Sequence, residues 1–119
     1  MADRNLIRAT SNLPQELVAT QLAATETTIY TGPANSSVVV ATATLCNTSG
    51  SARTVSLSVC KSGGTAGSAN RVAIIDLDPN ESAIVDELVG LFLGPGDFIS
   101  GLASAATSVA IVISGAVSS

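Results

Sequence analysis

Four oxygen-bearing side chains in the second half of the chain have the spacing of a calcium-binding loop. They fall at the first, third, fifth and twelfth positions of an EF-hand-like pattern, and are Asp76, Asp78, Asn80 and Glu87. Carboxylate and amide oxygens are the ligands that Ca²⁺ prefers. The pattern departs from such a loop because Glu81 stands where glycine is needed, Pro79 stiffens the middle, and residues 82–88 read as a strand. We keep the four residues as candidate cation ligands and favour a strand-to-strand turn over residues 78–81.

The residue types needed for most enzymatic chemistry are missing. The chain has no His and no Trp, so a Ser-His or Cys-His nucleophile is excluded. A pair of carboxylates can act as acid and base, but the acidic residues lie beside turn residues, where solvated loops are the usual explanation. We therefore expect a protein that is not an enzyme, with no catalytic residues and no cofactor.

The two cysteines, Cys46 and Cys60, lie on predicted strands joined by a turn at residues 47–51. If these strands form a tight hairpin, Cys60 lies roughly 20 Å from Cys46 at a strand rise of about 3.3 Å per residue. A disulfide needs Cα atoms within about 7 Å. The hairpin therefore predicts two free thiols, and a bridge would require the strands to belong to different sheets or to a different register.

The composition indicates a protein that associates with others. Hydrophobic residues make up 46% of the 119 residues and charged residues only 12%, half of the roughly 25% that is usual for soluble domains. Such a surface suits burial against neighbouring subunits. We expect a homo-oligomer, with a trimer as the first hypothesis. The net charge of −4 and the five scattered basic residues argue against nucleic-acid binding.

Neither a targeting segment nor a membrane helix is expected. Residues 1–8 are charged and lack the apolar core of a secretory signal. Residues 98–119 carry no charge, but Ser, Thr and Gly interrupt them and their apolar residues are largely Ala and Val. Two strands and a turn explain this segment better than a membrane span.

Short β-rich segments separated by turn residues predict an all-β fold. The predicted strands are residues 27–31, 38–46, 53–61, 71–77, 82–88, 97–103 and 109–113. Between residues 62 and 70 the chain is rich in Gly and Ser and reads as a loop. Seven or eight short strands of this kind predict a single antiparallel β-sandwich, either jelly-roll or immunoglobulin-like, over residues 21–119.

Residues 1–20 are expected to lie outside the sandwich. They have mixed charge and no alternation, so they predict an N-terminal arm, or a short helix over residues 15–22 capped by Asn12.

The segment Gly94-Pro95-Gly96-Asp97 is the strongest turn in the chain. Proline presets φ, and glycine adopts conformations that other residues avoid. Because apolar runs flank it on both sides, we predict a rigid reversal between two strands, with Asp97 capping the turn.

Several of these motifs together resemble a known group of proteins. The pieces that carry the resemblance are residues 21–24 (QLAA), 28–34 (TIYTGPA), 47–50 (NTSG), 90–93 (GLFL), Gly96-Asp97 and Gly115. In this order they resemble the short β-sandwich virion accessory proteins of tailed bacteriophages, found on heads, necks and tails. The resemblance implies a non-enzymatic virion subunit and carries over no binding residues.

The resemblance implies the function of a bacteriophage structural protein located in the virion. Capsid decoration is the first hypothesis, with the major capsid protein as partner and neither nucleic acid nor membrane bound; a neck, collar or tail protein is the alternative. A host- or carbohydrate-binding β-sandwich is the other alternative. That function needs exposed aromatic rings, whereas Tyr30, Phe92 and Phe98 all lie in or beside predicted strands, where core packing is expected.

Overall fold

A computed structural model describes residues 12–118 of the chain, with side chains from residue 14 onward. This part of the chain contains nine strands and two short 3₁₀ turns, at Ser68–Asn70 and Asp86–Leu88. The strands are β1 (Asn12–Gln21), β2 (Thr27–Thr31), β3 (Ser37–Asn47), β4 (Arg53–Cys60), β5 (Arg71–Leu77), β6 (Ser82–Ile84), β7 (Phe92–Leu93), β8 (Phe98–Ala103) and β9 (Val109–Ser118). No helix among these residues has the length and apolar character needed to cross a membrane.

The strands form two antiparallel sheets. The first sheet, sheet A, has the order β1-β9-β3-β6, and β7 also pairs with β3. Strand β6 pairs with residues 44–46 of β3 and β7 with Val38 and Val39, so together they occupy the fourth position of sheet A. The second sheet, sheet B, has the order β2-β8-β4-β5. The predicted all-β antiparallel sandwich is confirmed.

The strand order is that of a jelly roll. When β6 and β7 count as one interrupted strand, eight strands remain, and they pair first with last: β1 with β9, β2 with β8, β3 with β6/β7, and β4 with β5. Rolling this long antiparallel ribbon brings β9 beside β3 and β8 beside β4. Two sheets joined in this way form the double Greek-key jelly roll. Of the two sandwich types expected, the structure has the jelly roll.

The core lies between the two sheets and draws apolar side chains from both. Alternation along the strands turns Val38, Val40, Ile111 and Ile113 of sheet A toward the interior, where they are fully buried. The side chains facing them from sheet B include Val55, Leu57, Leu77, Ile99 and Ala103. At about 1.5–3 kcal/mol for each fully buried large aliphatic side chain, this cluster is the main stabilising element of the fold.

The helix predicted over residues 15–22 is wrong, and the sandwich extends beyond residue 21 toward the N-terminus. Residues 12–21 form β1, which pairs with β9 and buries Val18 in the core. Pro14 is compatible with this position because β1 is an edge strand, where a missing N–H removes little of the ladder. The part of the predicted arm before Asn12 lies outside the described residues.

Two strand boundaries differ by several residues from those predicted, and one predicted strand pairing is wrong. The strand expected over residues 82–88 ends at Ile84, and a 3₁₀ turn follows it. Strand β9 continues to Ser118, five residues beyond the predicted end at Ile113, because it pairs on both sides, with β1 and β3. The predicted β3–β4 hairpin is wrong, because β3 belongs to sheet A and β4 to sheet B.

Candidate functional site

The four candidate cation ligands lie on three different elements. Asp76, on β5, accepts a hydrogen bond of 2.8 Å from the Thr54 hydroxyl. Asp78 and Asn80 lie in the turn between β5 and β6, and Glu87 lies in the 3₁₀ turn after β6. Between residues 12 and 118, no group of three or more acidic, His or Cys side chains is placed so that it could hold a metal ion.

The turn over residues 78–81 closes on itself instead of forming an ion-binding loop. The Glu81 carboxylate accepts a hydrogen bond of 2.6 Å from the backbone N–H of Asp78, and Asn80 takes a left-handed conformation with φ of 60°. Asn47 secures this turn from β3, because its buried side-chain amide donates to the carbonyl oxygens of Leu77 and Asp78. The strand-to-strand turn favoured from the sequence is observed.

The Gly94–Asp97 segment forms a second hydrogen-bonded corner, at the opposite end of the sandwich. The Asp97 carboxylate accepts hydrogen bonds from the backbone N–H of Gly94 (3.0 Å) and of Ser62 (3.1 Å), and the Lys61 ammonium lies 3.7 Å away. Burial by itself raises the pKa of Asp97, but these donors and the lysine outweigh it and hold the pKa below its ordinary value. The predicted capping role of Asp97 is confirmed, and the side chain also anchors the β4–β5 loop.

Glycine is required at two positions of this corner. Gly96 has φ of 80°, and a Cβ there would lie 2.5 Å from the Ser62 hydroxyl. Gly32 exchanges backbone hydrogen bonds with Asp97 and Gly96, and a Cβ there would lie 2.6 Å from the carbonyl oxygen of Gly94. Three loops therefore meet at this corner, those after β2, β4 and β7, and the contact excludes larger residues.

A buried ionic cluster on the outer side of sheet B was not anticipated from the sequence. Arg71 donates to the Glu26 carboxylate (3.1 Å) and to the Ser58 hydroxyl (2.8 Å), while the Ser100 hydroxyl donates to Glu26 (2.7 Å). Ser58 and Ser100 face each other across β4 and β8 and are almost fully buried. The only sequence signal for this cluster is that one charged residue, Arg71, begins β5 and another, Glu26, immediately precedes β2.

This cluster is structural. A serine hydroxyl bonded to a carboxylate is one requirement of an activated nucleophile, but Ser100 is only 1% exposed and a substrate has no access to it. Each of the four side chains has a partner within the cluster. The arrangement therefore fixes the start of β2 against the centre of sheet B.

Both cysteines are free, as predicted, although the reason differs from the one given by the hairpin. Cys46 lies on β3 in sheet A and Cys60 on β4 in sheet B. Cys60 is buried, and both this burial and the nearby Glu26 carboxylate raise the pKa of its thiol. Cys46 is partly exposed on the outside of the sandwich.

A small groove opens between the edge strands β1 and β2, where the two sheets part. Its volume is about 260 Å³, slightly below the roughly 300–1,000 Å³ of typical small-molecule sites. It is lined by Leu17, Val18, Thr20, Gln21, Leu22, Ala23, Thr27, Thr28, Ile29 and Gly101. None of these residues carries a charge, so the groove offers apolar contacts and no group for acid–base or metal chemistry.

The outer surface of sheet A is nearly free of charge. We call it face A and define it by the outward side chains of its strands: Pro14, Glu16, Ala19 and Gln21 of β1; Ala110, Val112, Ser114 and Ala116 of β9; Val39, Ala41, Thr42, Thr44 and Cys46 of β3; and Ser82, Ile84 and Phe92 of β6 and β7. Glu16 is the single charged residue in this set. Ile84, Phe92 and Val112 are 66%, 56% and 40% exposed, large fractions for apolar side chains.

Comparison with protein-family models, with curated proteins and with solved structures finds no match for this chain. The arguments below therefore rest on the fold and the surfaces described above.

Two of the aromatic residues are partly buried as expected, and one is not. Tyr30 and Phe98 are half-buried, and burial raises the pKa of Tyr30. The core packing expected for Phe92 is wrong: its neighbour Leu93 takes the inward position of β7, so that alternation turns the ring of Phe92 outward onto face A.

Proposed function

We propose that this chain is a non-enzymatic structural subunit of a bacteriophage particle, acting as a capsid decoration protein. The observation that carries the proposal is the jelly-roll strand order of the two sheets. Viral shells are among the recurrent uses of this fold. Because one fold hosts many functions, the surface must support the same conclusion.

The surface supports the proposal through face A. A subunit that works by packing needs a rigid body and a surface that costs little to dehydrate. A charged side chain costs far more to desolvate than the hydroxyl of Ser or Thr, and Ala and Val cost nothing to desolvate. Face A has one charged residue, and the sheet beneath it is held by β9, which pairs along its length with β1 and β3 with one bulge on each side. The proposed partners are further copies of this chain and the major capsid protein.

The test is to look for the chain in particles of the phage or prophage whose genome encodes it. Mass spectrometry of purified particles is expected to detect it in many copies, and immunogold labelling is expected to mark the head. Labelling confined to the neck, collar or tail would replace decoration with that structural role. Particles that lack the chain would contradict the proposal.

Phe92 favours a second candidate, a carbohydrate-binding function. A phenyl ring 56% exposed on a flat sheet can stack on a sugar ring. Screening the purified protein against a glycan array tests this function. Binding that is lost in Phe92→Ala and kept in Ile84→Ala would support it, because stacking needs the ring and not apolar area in general.

A further inference from the structure

Face A exposes three large apolar side chains, Ile84, Phe92 and Val112, and no contact described above accounts for their exposure. The central row Ile84–Thr44–Val112–Ala19 crosses all four strand positions, and a second row runs Phe92–Val39–Ala116–Pro14. Isolated exposed apolar residues are ordinary, but contiguous rows across a sheet mark an interaction surface.

Unlike face A, the outer side of sheet B carries an ionic cluster, and a loop of the chain covers part of it. It carries the Glu26–Arg71 cluster, and the Asp76 carboxylate lies on it, bonded to the Thr54 hydroxyl. Part of the loop between β4 and β5 contacts it, since the Ser58 hydroxyl donates to the carbonyl oxygen of Gly67. The outer side of sheet B is therefore charged and partly covered by a loop of its own chain, while Ile74 stays exposed on its edge strand β5.

Face A also has the size that a stable contact between subunits needs. Three strand positions about 4.8 Å apart, each roughly 33 Å long for about ten residues, and a fourth of about half that length make a surface of about 550 Å² in plan. The accessible area of such a corrugated surface is larger still. A standard protein interface buries about 800 Å² on each partner, so face A as a whole matches one interface.

We propose that face A binds a second copy of this chain. At the symmetry axis of an interface between two copies, each residue meets its own counterpart, so a charge at the centre of the contact would face a like charge. Face A avoids this repulsion, because Glu16 lies on the edge strand β1 and the nearest acidic pair, Asp86 and Glu87, lies in the turn beyond the opposite margin. A partner recognised through complementary charges would find none at the centre of face A. The inference extends the proposed function by naming the surface of the subunit contact.

The experiment compares two isoleucines with the same exposure on opposite sheets. Ile84 on face A is 66% exposed, and Ile74 on β5 of sheet B is 67% exposed. The mass of the full chain in solution, measured by light scattering, is expected to exceed that of one protomer. Ile84→Lys is expected to weaken the association at least tenfold, because it places a charge in the contact, and Ile74→Lys is expected to leave it unchanged. Thermal unfolding of both variants checks that they are folded.

A second measurement on the unmodified chain keeps the proposal testable if a variant fails to fold. Cys46 lies on face A and Cys60 is buried in the protomer. The alkylation of Cys46 is therefore expected to slow several-fold as the protein concentration rises, whereas the alkylation of Cys60 is expected to be slow at every concentration.

The salt dependence of the association gives a further readout. Raising the salt from about 0.05 M to about 0.5 M is expected to maintain or tighten the association, because it screens the carboxylates at the margins of face A.

Three outcomes would overturn the inference. The first is the mass of one protomer at all concentrations, together with a constant rate of Cys46 alkylation. The second is equal weakening of the association by Ile84→Lys and Ile74→Lys. The third is dissociation of the subunits at high salt. A dimer or a trimer that collapses in Ile84→Lys supports it equally. Since these readouts need no phage particle, a failed inference here would leave the virion proposal open, and the reverse also holds.

Discussion

Asp97 and Ser62 join two loops that are 35 residues apart in the sequence. The backbone N–H of Ser62 donates a hydrogen bond of 3.1 Å to the Asp97 carboxylate, whose other oxygen accepts from Gly94. One side chain therefore closes its own turn and fastens the loop between β4 and β5. The corner at this end of the jelly roll depends on that carboxylate.

Replacing Asp97 with Ala is expected to lower the free energy of unfolding by about 2–4 kcal/mol, because two backbone N–H groups lose a charged acceptor. Asp97→Asn keeps an acceptor oxygen and is expected to cost about 1–2 kcal/mol. Urea unfolding measures both. Asp76→Ala is the control, since Asp76 is exposed and accepts one hydrogen bond from a side chain. A loss for Asp97→Ala no larger than for the control would contradict the anchoring role.

The stability is expected to fall in acid through Asp97. Its pKa in the folded state lies below its ordinary value, so the carboxylate stabilises the fold fully above the unfolded pKa of about 3.9. This contribution is lost as the pH falls from there through the lower folded pKa. Unfolding free energies measured from about pH 6 to pH 2 should therefore decline less steeply in Asp97→Asn than in the unmodified chain. Parallel curves would show that another group is responsible.

Gly32→Ala is expected to destabilise the protein by about 2 kcal/mol or more, because the new methyl group would collide with a backbone carbonyl that cannot swing away. The collision is with Gly94, at 2.6 Å. Gly50→Ala is the matched control: no atom lies within 4 Å of a Cβ at that position, and we expect a change within about 1 kcal/mol in either direction. Thermal and urea unfolding compare the two. Equal effects would show that Gly32 is not held against the corner.

The Glu26–Arg71 pair is expected to couple by about 1–2 kcal/mol in a double-mutant cycle. Both side chains are mostly buried, at 26% and 20% exposed, so Arg71→Met leaves a carboxylate that is only partly solvated. The double variant Glu26→Gln with Arg71→Met removes both charges and is expected to recover part of the loss. Urea unfolding of the four proteins gives the coupling, and additive losses would indicate that the pair contributes nothing beyond its separate contacts.

The local structure could be predicted from the residue types wherever they act within a few positions of each other. Strands β2 and β5 have the predicted bounds, and the Gly94–Asp97 turn lies where glycine and proline require one. The sandwich class followed from the number and spacing of these segments. The inference needed no knowledge of which strands pair.

The features that depend on pairing between distant segments could not be predicted, because they arise only when the whole chain folds. Residues 12–21 have little strand character of their own and become a strand because β9 offers a partner. Glu26 meets Arg71 because the jelly roll places the start of β2 near that of β5, with β8 and β4 between. The same rolling puts Cys46 and Cys60 in different sheets and leaves Phe92 exposed on face A. Local residue preferences cannot specify such contacts, because the paired strands lie far apart in the sequence and nothing within either segment identifies its partner.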